Sequence, residues 1–310
     1  MRRERDRTAA RRKGRNISPR ARQIRGRVFL WALVGFGLAP LAYFAETRYG
    51  HAEPLSPGAD TTSLASENLP VESGAPQVDP LDRGARNLSF GVGEELYFDI
   101  NYGFINAGSA QMRVLDLVEW EGRPCYYIQT LAQSNSFFNS VFPVDDTVET
   151  IMDAVGLASW HFEKRLREGN YHSDRIYTFD QINQKTVYKG DTIDLPKFIQ
   201  DVLSSFYYVR TMDLKVGESV FLESFTRGEV KRLEVKVIKR ETIKTPAGEF
   251  ACIVVEPLLQ AAGVFRHEGR LTVWLTDDRL RMPVQMKSKV IVGAISATLT
   301  DYRLGEIEQF

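Results

Sequence analysis

Apolar residues recur at every second position through most of the chain after about residue 86, and this period limits what the chain can fold into. Leu96, Phe98, Ile100 and Tyr102, for example, alternate with mostly polar neighbours. A period of two is typical of β-strands with one buried face. Further segments of this kind are 111–118, 125–132, 157–168, 171–180, 220–225, 233–239, 250–256, 270–276, 284–292 and 295–302. Because no rhythm of alternating strands and helices accompanies them, they predict a mainly antiparallel β domain.

One segment replaces the period of two with a helical period. Ile199, Val202, Leu203 and Phe206 fall at i, i+3, i+4 and i+7, which predicts an amphipathic helix. A sheet of about a dozen strands must curl or protect its edges. We therefore expect a curled antiparallel sheet, either a barrel or a half-barrel, with this one helix covering it. The whole unit is expected to form a single domain spanning 86–310, preceded by an N-terminal membrane segment.

The dipeptide Gly169-Asn170 predicts a two-residue hairpin turn and thereby a register for the strands on either side. That register opposes Trp160 to Phe179, Phe162 to Tyr177 and Arg165 to Asp174. Aromatic pairs and pairs of opposite charge across a hairpin are favourable. The same register also places Lys164 opposite Arg175, and two like charges in that position are unfavourable.

The net charge of the chain is zero, but the charges are divided along it. Residues 1–27 hold 12 basic and 2 acidic residues, residues 28–45 hold none, and residues 86–310 hold 26 basic and 31 acidic residues. An uncharged apolar run of this length predicts membrane insertion, and a basic flank stays on the cytoplasmic side. We expect 1–27 to form a cytoplasmic tail, 28–45 to enter the inner membrane, and the acidic remainder to be exported to the periplasm of a bacterial envelope. A nucleic-acid partner is not indicated.

Two interpretations of the apolar run stay open. It could be an uncleaved transmembrane anchor, or the apolar part of a signal peptide that is cut after Ala52, where small residues suit signal peptidase. The segment 46–85 is rich in Pro, Ser, Gly and acidic residues, and this composition predicts a disordered tether. The exported domain is therefore expected to be either anchored to the inner membrane or released into the periplasm.

The sequence contains no motif that indicates catalysis, a metal or a cofactor. No G-x-S-x-G, Ser-x-x-Lys, H-E-x-x-H or Gly-rich phosphate loop occurs. The pairs Asp145-Asp146 and Asp277-Asp278 resemble hard-cation ligands, but Asp also favours turns, and we interpret both pairs as turn residues. Candidate ligand-binding residues are Asp201, Ser205, Tyr208 and Arg210 on the predicted helix. Their face could orient a polar head group at an apolar cavity, or it could only hydrogen-bond the helix to the sheet.

Cys125 and Cys252 are the two cysteines of the chain, and both fall in predicted strands. Export to an oxidising compartment would permit a disulfide between them. The alternative is that both are buried and behave as small apolar residues.

Several segments together resemble a bacterial envelope family known as domain of unknown function 3108. They are Asp201–Arg210, Leu214–Gly217, Thr245–Phe250, Trp274–Asp278 and Pro283, and the likeness spans about residues 93–305 in order. This resemblance implies an exported, mostly β domain and brings no activity with it. At the level of the fold, the expected curled sheet with its helix is similar to the half-barrel carriers of lipoprotein sorting.

These observations favour a membrane-tethered periplasmic module that binds an apolar or amphipathic envelope molecule, such as a lipid or an acyl chain. The alternative is a structural or assembly factor that docks an envelope protein complex through its surface. An enzyme is the third possibility, and it would need a cleft that the linear sequence does not show.

Overall fold

The computed structural model describes residues 79–310 apart from 262–263, 266–270 and 290–293. The predicted cytoplasmic tail (1–27), the apolar run (28–45), the cleavage site after Ala52 and the tether as far as residue 78 lie outside the described residues. Within the described residues, no helix has the length and apolar composition needed to cross a membrane.

The alternating segments form β-strands and the segment of helical period forms a helix, so the mainly β prediction is confirmed. In chain order the strands are β1 (Glu95–Tyr102), β2 (Ile105–Trp120), β3 (Arg123–Ser134), β4 (Asp145–Asp153), β5 (Ser159–Glu168), β6 (Tyr171–Asp180), β7 (Lys185–Tyr188), β8 (Asp191–Asp194), β9 (Ser219–Thr226), β10 (Glu229–Thr245), β11 (Gly248–Ala261), β12 (Val264–Phe265), β13 (Leu271–Thr276), β14 (Pro283–Lys289) and β15 (Ala294–Arg303). The helices are α1 (Ser136–Val141) and α2 (Val202–Arg210).

The strands form one antiparallel sheet whose order follows the chain in two runs. Fourteen strands lie in the order β8-β7-β6-β5-β4-β3-β2-β1-β15-β14-β13-β11-β10-β9, and β12 pairs with β11 beside this path. Each run is a meander of neighbouring strands. The two runs join where the first strand pairs with the last, with Phe98 opposite Leu299.

The sheet is open, and the prediction of a barrel or half-barrel, meaning a closed or strongly curled sheet, is wrong. The order ends at β8 and β9, and no ladder joins these two strands among the described residues. The segment before α2 forms a short contact with the free edge of β9. Gln200 forms a single parallel bridge with Ser224, its N–H donates to the carbonyl of Glu223 at 3.0 Å, and its carbonyl accepts from Phe225 at 2.8 Å.

The hairpin of β5 and β6 confirms most of the predicted register. Phe162 pairs with Tyr177, and Lys164 pairs with Arg175, the unfavourable pair included. The predicted opposition of Trp160 to Phe179 does not form. The indole nitrogen of Trp160 donates instead to the carboxylate of Asp153 at 2.9 Å, and the pairing of β4 with this end of β5 is irregular.

A single large apolar cluster lies between the sheet and α2. Rings from strands at opposite ends of the order meet in it, and the ring centre of Phe225 on β9 lies 5.5 Å from that of Phe179 on β6. Helix α2 packs against β4 and β9, and Leu203 and Tyr207 are buried in the same cluster. The predicted covering helix is thus confirmed.

Residues 79–85, which the composition assigned to the tether, are attached to the sheet. The carboxylate of Asp79 lies 2.9 Å from the guanidinium of Arg123. Leu81 is buried against Cys125 and Trp160. Asp79 and Leu81 are therefore in contact with the folded domain.

Candidate functional site

Asp201 caps the N-terminus of α2 and is fully buried. One carboxylate oxygen accepts the backbone N–H groups of Leu203 and Ser204 at 2.6 and 3.0 Å. The other accepts the hydroxyls of Ser159 and Thr150 at 2.5 and 2.6 Å. Burial raises the pKa of Asp201, and the hydrogen bonds from Ser159 and Thr150 oppose this rise. The carboxylate thus holds the start of α2 to β5 and β4.

Arg210 ends α2 and is buried with Glu94 as its partner. Its two terminal nitrogens lie 2.7 Å from the two carboxylate oxygens of Glu94, and it also donates to the carbonyls of Ser89 and Leu280. Burial alone lowers the pKa of Arg210, but the neighbouring Glu94 carboxylate holds it above its ordinary value. Arg210 therefore links the end of α2 to the segment before β1 and to the turn after β13.

Ser205 and Tyr208 point to different surroundings. The hydroxyl oxygen of Ser205 lies 3.5 Å from that of Ser224 on β9. The ring of Tyr208 lies under the guanidinium of Arg83, 4.1 Å from the ring centre. Of the four predicted residues, only Ser205 lines the cavity described next. A ligand-binding role for the four together stays a prediction.

An apolar cavity lies between α2 and the sheet. Its volume is about 100 Å³, whereas a single water needs about 10–15 Å³ of such space. The apolar lining comes from both runs of the sheet and from one side of α2. It consists of Phe162, Leu166, Tyr177, Val202, Phe206, Val209, Phe225, Leu233, Val235, Val255, Pro257, Leu271, Val273 and Leu275. This lining suits an apolar group such as a segment of an alkyl chain.

Three basic residues also line the cavity, and we call them the basic rim: Lys164, Arg175 and Arg227. They are half-buried, whereas most of the apolar lining is buried. Lys164 and Arg175 are directly opposed across the β5–β6 hairpin. Arg227 stands in the turn between β9 and β10. No acidic residue is among the described residues that line the cavity.

Two buried carboxyl groups lie behind the basic rim, Asp146 on β4 and Glu168 on β5. Burial raises the pKa of Asp146 to about 7, against a hydrogen bond from the backbone N–H of Arg167. Burial and the neighbouring Asp146 raise the pKa of Glu168 to about 8. Each carboxyl group keeps one oxygen without a hydrogen-bond partner within the described part of the chain. Near neutral pH this pair carries less than its full negative charge.

The sequence did not predict the basic rim, although it held one signal of it. The opposed Lys164 and Arg175 counted against the predicted register, yet the register is correct. Like charges directly across a hairpin are destabilising. The unfavourable pair was therefore a signal of the cavity that both residues line.

The two cysteines are free, buried thiols in the structure. Cys125 on β3 packs with Leu81 and Trp160, whereas Cys252 on β11 belongs to the main apolar cluster. Burial raises the pKa of Cys125 to about 12 and that of Cys252 to about 11. In the structure, Cys125 and Cys252 are therefore buried and pack as small apolar residues.

The aspartate pairs serve local structure. Asp278 accepts the backbone N–H groups of Leu280 and Arg281 and so closes the turn after β13, as predicted. Asp277 pairs with Arg281 at 3.0 Å. Asp146 lies in β4 rather than in a turn. Across the described ranges, no group of three or more His, Cys, Asp or Glu residues is placed to hold a metal ion.

Together the fold and the cavity define a mainly β protein built on one large open antiparallel sheet, with an apolar cavity under its covering helix. Residues 97–300 match the family described as protein of unknown function (DUF3108). The chain belongs to this family, in agreement with the resemblance seen in its sequence. Comparison with the curated proteins found no match.

Three solved structures are similar to this chain. A β-barrel-like protein of domain of unknown function DUF1849 from Brucella abortus has a TM-score of 0.47 and 13% identity, covering 70% of this chain and 99% of its own. A proposed lipoprotein from Parabacteroides distasonis has a TM-score of 0.33 and 10% identity, covering 71% and 99%. A proposed exported protein with a YmcC-like fold from Bacteroides fragilis has a TM-score of 0.27 and 15% identity, covering 71% and 99%. At these scores the similarities establish no function for this chain.

Proposed function

We propose that this protein is a membrane-tethered periplasmic module that binds an apolar or amphipathic envelope molecule, such as a lipid or an acyl chain. The observation that carries the proposal is the apolar cavity between α2 and the sheet. The membrane tether and the periplasmic location rest on the sequence of residues 1–78.

The size and lining of the cavity support an alkyl chain as the buried part of the ligand. An apolar cavity of about 150 Å³ is known to admit a molecule of the size of benzene. A cavity of about 100 Å³ would therefore take the end of an alkyl chain rather than a whole lipid. Each methylene group that leaves water for such a site contributes about 0.8 kcal/mol.

An apolar surface near the cavity supports a membrane as the source of the ligand. Phe137 and Val141 on α1 are exposed. The chain after α1 places the ring of Phe142 against Gly169, at the turn between β5 and β6. Phe142 also packs with Leu166 in a small apolar cluster, and Leu166 lines the cavity. Phe142, which directly follows the exposed residues of α1, is thus connected to the cavity through Leu166.

The proposal is tested by photo-crosslinking in membranes that contain the full-length protein. The probe is a 16-carbon fatty alcohol with a diazirine near its methyl end, and the labelled peptides are identified by mass spectrometry. We expect labelling in the strands that line the cavity, β9, β10, β11 and β13. Ser205→Leu fills the cavity from α2 and should lower this labelling several-fold.

Thr192→Leu is the control, because Thr192 is exposed on the edge strand β8 and the substitution likewise replaces a hydroxyl side chain by leucine. It should label like the wild type. Labelling confined to residues 28–45, or labelling that Ser205→Leu does not change, would contradict binding in the cavity. If a stable protein partner were crosslinked while the cavity stayed unlabelled, the assembly-factor alternative would replace the proposal.

The tether is tested separately by fractionating cells and measuring the N-terminal mass of the mature chain. Retention in the membrane fraction with an intact N-terminus supports an anchor at 28–45. A mature chain that begins after Ala52 supports a released periplasmic protein. Recovery of the intact chain from the cytoplasm would contradict export.

A further inference from the structure

We infer that one end of the sheet docks on the surface of a lipid bilayer through four exposed apolar residues, which we call the apolar tip: Phe104, Ile105, Phe137 and Val141. This inference rests on the proposed function and deepens it, since it assigns the surface from which the cavity receives its ligand.

The apolar tip combines the turn between β1 and β2 with helix α1, and Asn135 holds these two elements together. Its side-chain oxygen caps α1 by accepting the backbone N–H of Phe138 at 2.9 Å. Its backbone N–H donates to the carbonyl of Ala107 at 3.0 Å, and its side-chain amide donates to the carbonyl of Asn106 at 2.7 Å. The exposed residues of α1 are therefore fixed beside the start of β2.

The members of the apolar tip are unusually exposed for their size. Phe104 is fully exposed, and Ile105, Phe137 and Val141 each keep more than half of their surface exposed. Single exposed apolar residues are ordinary, whereas neighbouring ones mark a site of interaction with a protein or a membrane. The distribution of charge around the tip favours the membrane.

The chain segments that form the apolar tip are uncharged. Charged residues make up 26% of the chain, yet none occurs from 100 to 112 or from 124 to 144. A charged side chain is costly to place in hydrocarbon. A bilayer would therefore accept these two segments at little cost in desolvated charge.

The first carboxylates on β1 to β4 lie well behind the apolar tip. Asp99 is opposite Ser109, Ser109 is opposite Gln133, and Gln133 is opposite Asp145, so both carboxylates stand in one row across the sheet. Along β2, Ser109 lies about 13 Å from Ile105. The apolar face of an interfacial segment is buried by about 5–10 Å. The tip can therefore enter the bilayer to this depth while Asp99 and Asp145 stay in water.

On the other side of β1, Lys289 of β14 lies level with the apolar tip. It is exposed and pairs with Ala294, whose carbonyl accepts the N–H of Gly103 at 3.1 Å. A lysine can lay its stem along apolar surface while its ammonium group stays among the head groups. Lys289 is therefore compatible with docking on a bilayer.

The cavity extends to the same end of the sheet. Neighbouring strands are antiparallel, so the β1–β2, β5–β6 and β9–β10 turns all lie at this end. Leu166 is close to the β5–β6 turn, Arg227 stands in the β9–β10 turn, and both line the cavity. A bilayer in contact with the apolar tip would thus lie at the end of the sheet that the cavity reaches.

The chain before the domain is long enough for this orientation. Asp79 is bound to Arg123 at the opposite end of β3, and the length of this strand separates it from the tip by about 40 Å. The segment 46–78 has 33 residues, and a chain of this length spans up to about 110 Å. The predicted membrane segment 28–45 and the apolar tip can therefore reach the same bilayer.

The test uses the full-length protein in vesicles of phosphatidylcholine that carries a diazirine in one acyl chain. After irradiation, mass spectrometry measures the labelled fraction of each peptide. We expect lipid on the peptides that contain Phe104 and Ile105 and on those that contain α1. The labelling should persist in high salt, because salt screens charges and leaves apolar contacts in place.

The variant Phe104→Asp/Phe137→Asp should lower the labelling of both segments by about tenfold or more, since the burial of each large apolar side chain is worth at least that factor. Ile182→Asp/Val216→Asp is the matched control, because it adds the same two charges at exposed apolar positions at the opposite end of the sheet. It should label like the wild type. An equal loss of labelling in both variants would overturn the inference.

Three results in the wild type would also overturn the inference. They are the absence of lipid on the tip while the fatty alcohol labels the cavity, the loss of tip labelling in high salt, and crosslinking of the tip to a second copy or to another protein in cell membranes instead of lipid. The first of these leaves the proposed function standing. Lipid on the tip without any labelling of the cavity by the fatty alcohol would instead overturn the proposed function.

Discussion

Replacing Arg210 by alanine should destabilise the protein strongly, since the structure gives this residue a structural role. The side chains of Arg210 and Glu94 are 0% and 2% exposed, and their charged atoms lie 2.7 Å apart. Removing one partner of a buried ion pair leaves an uncompensated charge and costs about 3–5 kcal/mol. Arg210→Ala also removes the donors to the carbonyls of Ser89 and Leu280. We expect the free energy of unfolding to fall by at least about 3 kcal/mol.

The assay is urea-induced unfolding of the full-length protein, followed by tryptophan fluorescence. Arg86→Ala is the control, because Arg86 is exposed in the segment before β1, and it should change the free energy of unfolding by no more than about 0.5 kcal/mol. The double variant Glu94→Leu/Arg210→Met removes both charges together and should recover a large part of the lost stability.

A loss of less than about 1 kcal/mol in Arg210→Ala, well below the cost of an unpaired buried charge, would refute this reasoning. So would a double variant that is no more stable than the single one. If the free energy of unfolding were unchanged while probe labelling of the cavity was lost, the ligand-binding role predicted for Arg210 from the sequence would be supported.

Two further predictions concern buried titratable groups. Burial gives Glu168 a folded pKa of about 8, above its ordinary value of 4.5, so its contribution to stability is present at low pH and is lost as the pH rises through 8. Between about pH 5 and pH 8 the free energy of unfolding should fall by on the order of 3 kcal/mol. The fall is measured by comparing urea unfolding of the wild type with that of Glu168→Gln over this pH range. Equal pH dependence of the two proteins would contradict the prediction. Cys125 and Cys252, whose thiol pKa values are raised by burial, should resist iodoacetamide in the folded protein. Both should react after unfolding without reductant, as seen by mass, and two protected sulfurs in the unfolded chain would instead show a disulfide.

The elements that the sequence predicted are those whose pattern is local. The two-residue turn at Gly169-Asn170 fixed the β5–β6 register, and the apolar positions of α2 identified its buried side. Strand β4 escaped prediction because its residues are buried on both faces, which removes the alternation. Strands β7 and β8 have four residues each, too few for a period to emerge.

The partners of the predicted polar residues of α2 could not be predicted, for a different reason. Helical spacing correctly places Asp201, Ser205 and Tyr208 near one another along the helix, but spacing says nothing of their partners. Asp201 is bound by hydroxyls 51 and 42 positions away, and Arg210 by a carboxylate 116 positions away. The cavity could not be predicted from the sequence either, because it depends on which distant strands face α2.

The pairing of β1 with β15 has a consequence for the order in which the sheet assembles. The residues of this ladder, such as Phe98 and Leu299, are about 200 positions apart, while almost every other ladder joins strands close in sequence. Each meander can assemble from strands close in sequence, but one edge of β1 stays unpaired until β15 is in place. Closing so long a loop is slow compared with local pairing. The sheet is completed only when β15 pairs with β1, and until then β1 presents an open edge to other chains.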